Sequence, residues 1–287
     1  MIKKYIALTK LGIVSGNTVV AVGGFALGAA SGASASAFFA MLIGLVCVMA
    51  SGCVFNNIID RDIDAKMHRT KNRHLVDESV SVQGAFVFGA ALLALGIFLL
   101  VMFTNRFALA AAAVGFVVYV IVYSLWAKRH TMYATEVGSI AGAVPPVVGY
   151  CAASNTFDVG ALTLFFILCF WQMPHFFAIA LRRMEEYSAA GIPVLPLQKG
   201  IRTTKIRMTV YLALFIGAAS SLALQGYVGF AYLIVLMPVS LAWFVLCVRG
   251  FWVEDTKRWA RSMFFVSLIV LLLFALMITL DGRPVLV

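Results

Sequence analysis

Charge is what this chain has least of. Asp, Glu, Lys and Arg make up only 12% of its 287 residues, against 63% hydrophobic ones. Soluble domains carry about twice that share of charge, so this composition, with a mean hydropathy of +0.99, excludes a soluble globular fold and calls for a polytopic membrane protein. Acids are scarcest, 12 against 22 Lys and Arg, for a net charge of +10. That excess could suggest a nucleic-acid partner, but no nucleic-acid module is visible and none is expected; bases at the ends of apolar runs are what membrane topology and anionic lipid demand. Cysteine is also sparse. Cys47, Cys53, Cys151, Cys169 and Cys247 lie in or beside apolar runs without paired ligand spacing, which argues against a disulfide framework or a zinc site. No convincing small-residue cleavage site follows the first apolar run, so the Met1-Ile2-Lys3-Lys4 lead is expected to be cytoplasmic and uncleaved.

What the chain does have is long apolar runs. A spanning helix needs roughly 20 such residues, and nine candidates occur, over 11–31, 35–55, 81–103, 107–126, 134–153, 158–181, 207–225, 228–248 and 261–281. The expected fold is all-α, a bundle of nine transmembrane helices in one domain over residues 1–287. Every Lys and Arg except Arg106 and Arg283 falls on one side of this arrangement. The bias predicts a cytoplasmic N-terminus, cytoplasmic loops after the second, fourth, sixth and eighth helices, and a C-terminus on the opposite side.

The densest charge lies between the second and third runs, from Asn56 to Arg73. Asn56, Asp60 and Asp64 recur every four residues, so at ~100° per residue they share one helix face. Oxygen donors of this kind suit Mg²⁺, which is usually held by one or two carboxylates together with substrate phosphates. Arg69, Lys71 and Arg73 follow at once, and such cations beside a carboxylate row fit a metal-bridged polyanion such as a diphosphate. A solvated loop that only fixes orientation accounts for the bases but not for the spacing of the acids. A second acidic pair, Glu185-Glu186, follows the sixth run. Gly191, Pro193 and Pro196 end the helical pattern there, which predicts a turn-rich cap over the first segment. Four helices separate the two connections, and this spacing hints at an internal duplication with a site where the halves meet.

Polar groups at membrane depth are the other informative class. Trp171-Gln172-Met173-Pro174-His175 interrupts the sixth run, Pro145-Pro146 predicts a bend that widens the interior, and Glu136 opens the fifth helix.

Asn56-x-x-x-Asp60-x-x-x-Asp64 with Arg69 and Arg73, a fourth helix ending Tyr123-Ser124-Leu125-Trp126-Ala127-Lys128-Arg129, and the acidic sixth connection resemble the intramembrane (UbiA-type) prenyltransferases over the whole chain. The segments Trp171 to His175 and Gly191 to Pro196 resemble the heme-farnesylating branch of that family. The resemblance implies nine helices around a central cavity in the bacterial inner membrane, farnesyl diphosphate and heme B as substrates, and Mg²⁺ as cofactor. It implies metal binding by Asn56, Asp60, Asp64 and Glu186, with Asn56, Asp60 and Asp64 as the catalytic set. Substrate binding would fall to Arg69, Lys71, Arg73, Tyr123, Lys128, Arg129, Glu186 and His175. The lipid bilayer and a terminal oxidase assembly are the further expected partners. One departure stands out: Ala190 occupies the place, four residues after Glu186, where many members carry a second acid. A quinone-type acceptor is the rival within the family, and a secondary transporter the rival outside it.

Overall fold

The computed structural model describes residues 2–29 and 32–283. With no water in the bilayer core, a spanning chain must satisfy its own backbone groups, which favours helices. Among the described residues nine are long and apolar enough to cross: α1 (Leu11–Gly28), α2 (Ala35–Ile59), α3 (Val82–Phe103), α4 (Arg106–His130), α5 (Ala134–Ser154), α6 (Val159–Arg182), α7 (Leu195–Leu224), α8 (Phe230–Trp252) and α9 (Thr256–Leu280). Short helices cover Ile2–Leu8, Arg61–Lys66 and Met184–Ala189. Helices adjacent in sequence pack in turn, α9 returns onto α1 and α6, and α5 crosses the middle against α1.

Side chains cap several helix starts where backbone donors have no partner. Ser34, Ser81, Asn105, Asp158 and Asp255 each accept a hydrogen bond from the first turn of the helix that follows. Packing in lipid depends on close backbone approach at small residues. A Cβ on Gly24 would stand 2.1 Å from the Pro146 carbonyl oxygen, and one on Gly149 would stand 2.0 Å from that of Ala21. The α1–α5 contact therefore admits no side chain at either glycine. Pro145 and Pro146 are buried, and Pro146 lies against Gly24 in this tight contact, where the sequence predicts a widened interior.

Three elements differ from the sequence-based spans. α7 begins at Leu195 rather than near 207, because Pro196 occupies the first turn, where no backbone donor is needed. Gly200, at φ 82°, then turns the helix within its polar first third. α4 extends to His130, and its stretch Val118–Ala127 is π-helical. α6 runs through Pro174 without interruption.

Candidate active site

The acidic row straddles a joint. α2 ends at Ile59 and the next short helix begins at Arg61, with Asp60 between them. Bonds from Asp60 N to Asn56 O (2.9 Å) and from Asp64 N to Asp60 O (2.8 Å) carry the four-residue spacing across the break. Asn56, Asp60 and Asp64 are all buried, whereas Asp62 is exposed.

Cations converge on this row from three parts of the chain. Lys128 of α4 donates to Asp60 Oδ2 at 2.5 Å, and Arg73 donates to Asp64 Oδ2 at 2.5 Å and to Asn57 Oδ1 at 3.2 Å. Lys10, at the foot of α1, donates to Asn56 Oδ1. Asn56 Nδ2 in turn donates to Asp60 Oδ2 (2.9 Å) and to Ser124 Oγ (2.8 Å). Ser124 and Lys128, four residues apart at the end of α4, both face the row. Ser124 Oγ donates to Tyr119 O, five residues back, at 2.7 Å, and such widened turns recur at functional sites. Tyr119 and Tyr123 stack at 5.9 Å on the same stretch.

Two residues of the row's neighbourhood were not singled out by sequence. In sequence Lys10 is one of the bases that mark topology; in the structure burial, then the nearby Arg73, pushes its ammonium down to about 8. Asn57 holds the N-terminal segment, donating to Leu8 O at 2.7 Å. The one local mark of Lys10 is its left-handed backbone, φ 52°, which sequence does not show.

The second acidic segment packs onto the first. Ile63 and Met67 bury against Ala190 and Ile192, with Tyr187 and Val194 at the edge, as a cap requires. Glu186 accepts from Arg183 at 2.6 Å and lies 3.9 Å from Arg69 Nε, which links the two segments. Its Oε2 is buried without a hydrogen bond. Glu185 is exposed and pairs with Lys257 at 2.7 Å. Arg129 is taken up elsewhere: it clasps Asp62 at 2.7 and 2.8 Å and donates to Ile59 O, and this clasp holds the Asp62 carboxyl down to about 2. Lys71 points to solvent.

His175 lies away from the acidic row, between Trp171 and Phe264 at 4.9 and 4.8 Å. The Ser267 hydroxyl donates to Phe264 O (2.5 Å), so it has only a lone pair to offer His175 Nδ1 at 2.7 Å. That assigns the proton to Nδ1 and leaves the Nε2 lone pair free. Trp171 Nε1 anchors the same turn by donating to Ser267 O at 2.9 Å.

Mg²⁺ fits the donors. The row offers amide and carboxylate oxygens, and Asp60 Oδ1 is buried with no partner. Among the described residues no three His, Cys, Asp or Glu side chains come together as a full cage. Few protein ligands, completed by substrate oxygens, are how Mg²⁺ is usually bound.

Residues 17–269 match the UbiA prenyltransferase family, and the chain belongs to it. Within that family it is similar over nearly its whole length to proteins named protoheme IX farnesyltransferase. The one from Edwardsiella ictaluri is 47% identical over 98% of this chain and 95% of the relative, and that from Protochlamydia amoebophila 46% identical over 98% and 99%. Among solved structures, one from work on digeranylgeranylglyceryl phosphate synthase in membranes superposes with TM-score 0.80 at 19% identity, covering 97% of this chain and 98% of that one. A UbiA homolog from Archaeoglobus fulgidus bound to DMAPP and Mg²⁺ gives 0.72 at 16%, covering 96% and 99%. At these identities the likeness shows the fold.

Proposed function

We propose that this chain transfers a farnesyl group from farnesyl diphosphate to a vinyl group of heme B, with addition of water, giving heme O and diphosphate. The observation that carries the proposal is the buried row Asn56, Asp60 and Asp64, faced by Lys10, Lys128 and Arg73. A row of oxygen donors ringed by cations suits a diphosphate leaving group and has no other evident use at a membrane rim. Mg²⁺, when bound, supplies Lewis-acid neutralisation of the diphosphate.

The chain's own groups do the rest. Asp60, through its free Oδ1, together with Asn56 and Asp64, would hold the metal, and Glu186 would contribute from the cap. Lys10, Lys128, Arg73 and Arg69 stabilise negative charge as the allylic C–O bond breaks, which is electrostatic assistance by preorganised donors. Lys71, exposed beside them, guides the diphosphate inward. Arg129 acts on phosphate indirectly, by clamping Asp62 and Ile59 O so that the joint at Asp60 is rigid. Tyr119 and Tyr123 shield the farnesyl cation. The acceptor vinyl group attacks that cation, and water captures the new cation beside the porphyrin. His175, with its Nε2 lone pair free, binds the heme iron.

The names of the near full-length relatives favour heme over a quinone-type acceptor. A transporter is disfavoured because its acids belong near the midplane, whereas these sit at the rim. The reading places one domain over residues 1–287 in the bacterial inner membrane with both acidic segments cytoplasmic. Association with a terminal oxidase assembly is part of it and is tested by co-purification. The test of the reaction is incubation of the purified protein with Mg²⁺, farnesyl diphosphate and either heme B or a quinone precursor, with products identified by mass spectrometry. Farnesylated heme alone is expected; a farnesylated quinone precursor alone would reverse the acceptor assignment.

A further inference from the structure

On the same side of the bundle as the acidic row, but between α7 and α8, a cavity of about 520 Å³ opens among Ile201, Arg202, Lys205, Phe251 and Trp252. None of these residues serves the reaction above. The turn at Gly200 sets Arg202 and Lys205, three residues apart on one helix face, at the cavity.

Lys205 is the informative group. It is only 6% exposed, yet every partner it has is neutral. Its Nζ donates to Gly250 O at 2.7 Å, approaches Thr256 Oγ1 at 3.4 Å, and sits 5.1 Å from the Trp259 ring centre. A Cβ on Gly250 would fall 2.3 Å from that ring, so the backbone there is bare to let Trp259 and Lys205 meet. Among the described residues neither Lys205 nor Arg202 pairs with a carboxylate. A buried cation without a counter-charge is costly, and here the cavity leads an anion to it. The remaining walls are Ile201, Phe251 and Trp252, the last 79% exposed, as suits tryptophan at the level of lipid headgroups. Two cations against an aromatic and aliphatic wall match a phosphate that carries acyl chains better than a free, fully hydrated one.

We propose that the cavity between α7 and α8 binds the phosphate of an anionic glycerophospholipid, held by Arg202 and Lys205, with the lipid's apolar part against Phe251 and Trp252.

The test uses the full chain in nanodiscs of phosphatidylcholine with a minor share of phosphatidylglycerol. Lipid retained on release into detergent is read by native mass spectrometry. The wild type should keep phosphatidylglycerol in preference to phosphatidylcholine. Arg202→Gln should lower that preference roughly five-fold, the factor set by one cation at the membrane surface. Arg258→Gln, which removes an exposed cation of α9 outside the cavity, should leave it unchanged. Lys205→Met should abolish it; because that variant could fail to fold, Arg202→Gln carries the decision. Equal retention of both lipids by the wild type, or equal losses in Arg202→Gln and Arg258→Gln, would overturn the proposal. Displacement of the retained lipid by inorganic phosphate at concentrations that leave the bilayer intact would overturn it too, since the site would then be one for a soluble anion.

Discussion

Replacing Asp60 by Asn separates the two jobs proposed for this residue, pairing with Lys128 and holding Mg²⁺. Asp60 is 1% exposed, accepts from Lys128 and Asn56 on Oδ2, and leaves Oδ1 buried and unpartnered. The amide keeps the shape but loses the charge. Removing one partner of a buried ion pair costs about 3–5 kcal/mol; with the Lys128 side chain 16% exposed, the lower end, about 3 kcal/mol, applies. Turnover should fall about 10²–10³-fold, the cost of losing one preorganised charge-stabilising group, because the proposed metal site loses a ligand charge. The double variant Asp60→Asn with Lys128→Met removes the stranded cation. It should recover most of the stability, followed by thermal unfolding in detergent, and none of the activity, followed by mass spectrometry of the product. Asp62→Asn is the comparison: its pair with Arg129 is 60% exposed on the acid side, such pairs are worth about 0–1 kcal/mol, and loosening the clasp should lower turnover far less than Asp60→Asn does. Recovery of turnover in the double variant would refute the reasoning, since Asp60 would then serve only to neutralise Lys128.

Glu186→Gln should raise the Mg²⁺ concentration needed for half-maximal turnover by roughly ten-fold, the scale of one lost ligand-shell charge, while Glu185→Gln, which breaks only a surface contact with Lys257, should be tolerated; the reverse ranking would reassign the acidic contact to Glu185. His175→Ala should change the absorption spectrum of added ferric heme B and abolish any imidazole signature, whereas Ser267→Ala should weaken it by freeing the ring tautomer; an unaltered spectrum in His175→Ala would remove the iron from its role. Reporter fusions after residue 287 and after residue 76 should report opposite sides of the membrane, and the same side for both would mean that the helix count is wrong.

The helices were legible because lipid leaves the chain few ways to satisfy its backbone: among the described residues each of the nine apolar runs lies in a helix long enough to cross. The four-residue row was legible for a related reason, since it survives the break at Asp60 through the bonds to Asn56 O and from Asp64 N. What stayed hidden depends on contacts distant in sequence. Lys10 resembles any lysine at a membrane rim until α1 packs beside α2 and brings it to Asn56. Arg129 matches a phosphate ligand by position, yet it is taken up by Asp62 and Ile59 O at the joint beside Asp60. The start of α7 was missed because residues 198–207 are polar, and hydropathy records the bilayer rather than the helix that continues above it. The packing of Tyr187, Ala190 and Ile192 over Ile63 and Met67 joins two loops more than a hundred residues apart, and nothing local announces it. The cavity at Lys205 was likewise invisible, as it forms only where the start of α7 meets Phe251 and Trp252 at the end of α8.

The central claim is that the chain ionises farnesyl diphosphate, lets a heme vinyl group take the farnesyl cation, and closes the sequence with water. Cations for the diphosphate converge on the acidic row, and ionisation followed by vinyl attack requires no protein nucleophile. The most direct measurement is an anaerobic reaction of the purified protein with Mg²⁺, farnesyl diphosphate and heme B in ¹⁸O-labelled water, with the heme product analysed by mass spectrometry. The account predicts a hydroxyethylfarnesyl heme whose hydroxyl carries the solvent label and whose formation needs no molecular oxygen. An unlabelled hydroxyl, or a strict requirement for oxygen, would contradict it.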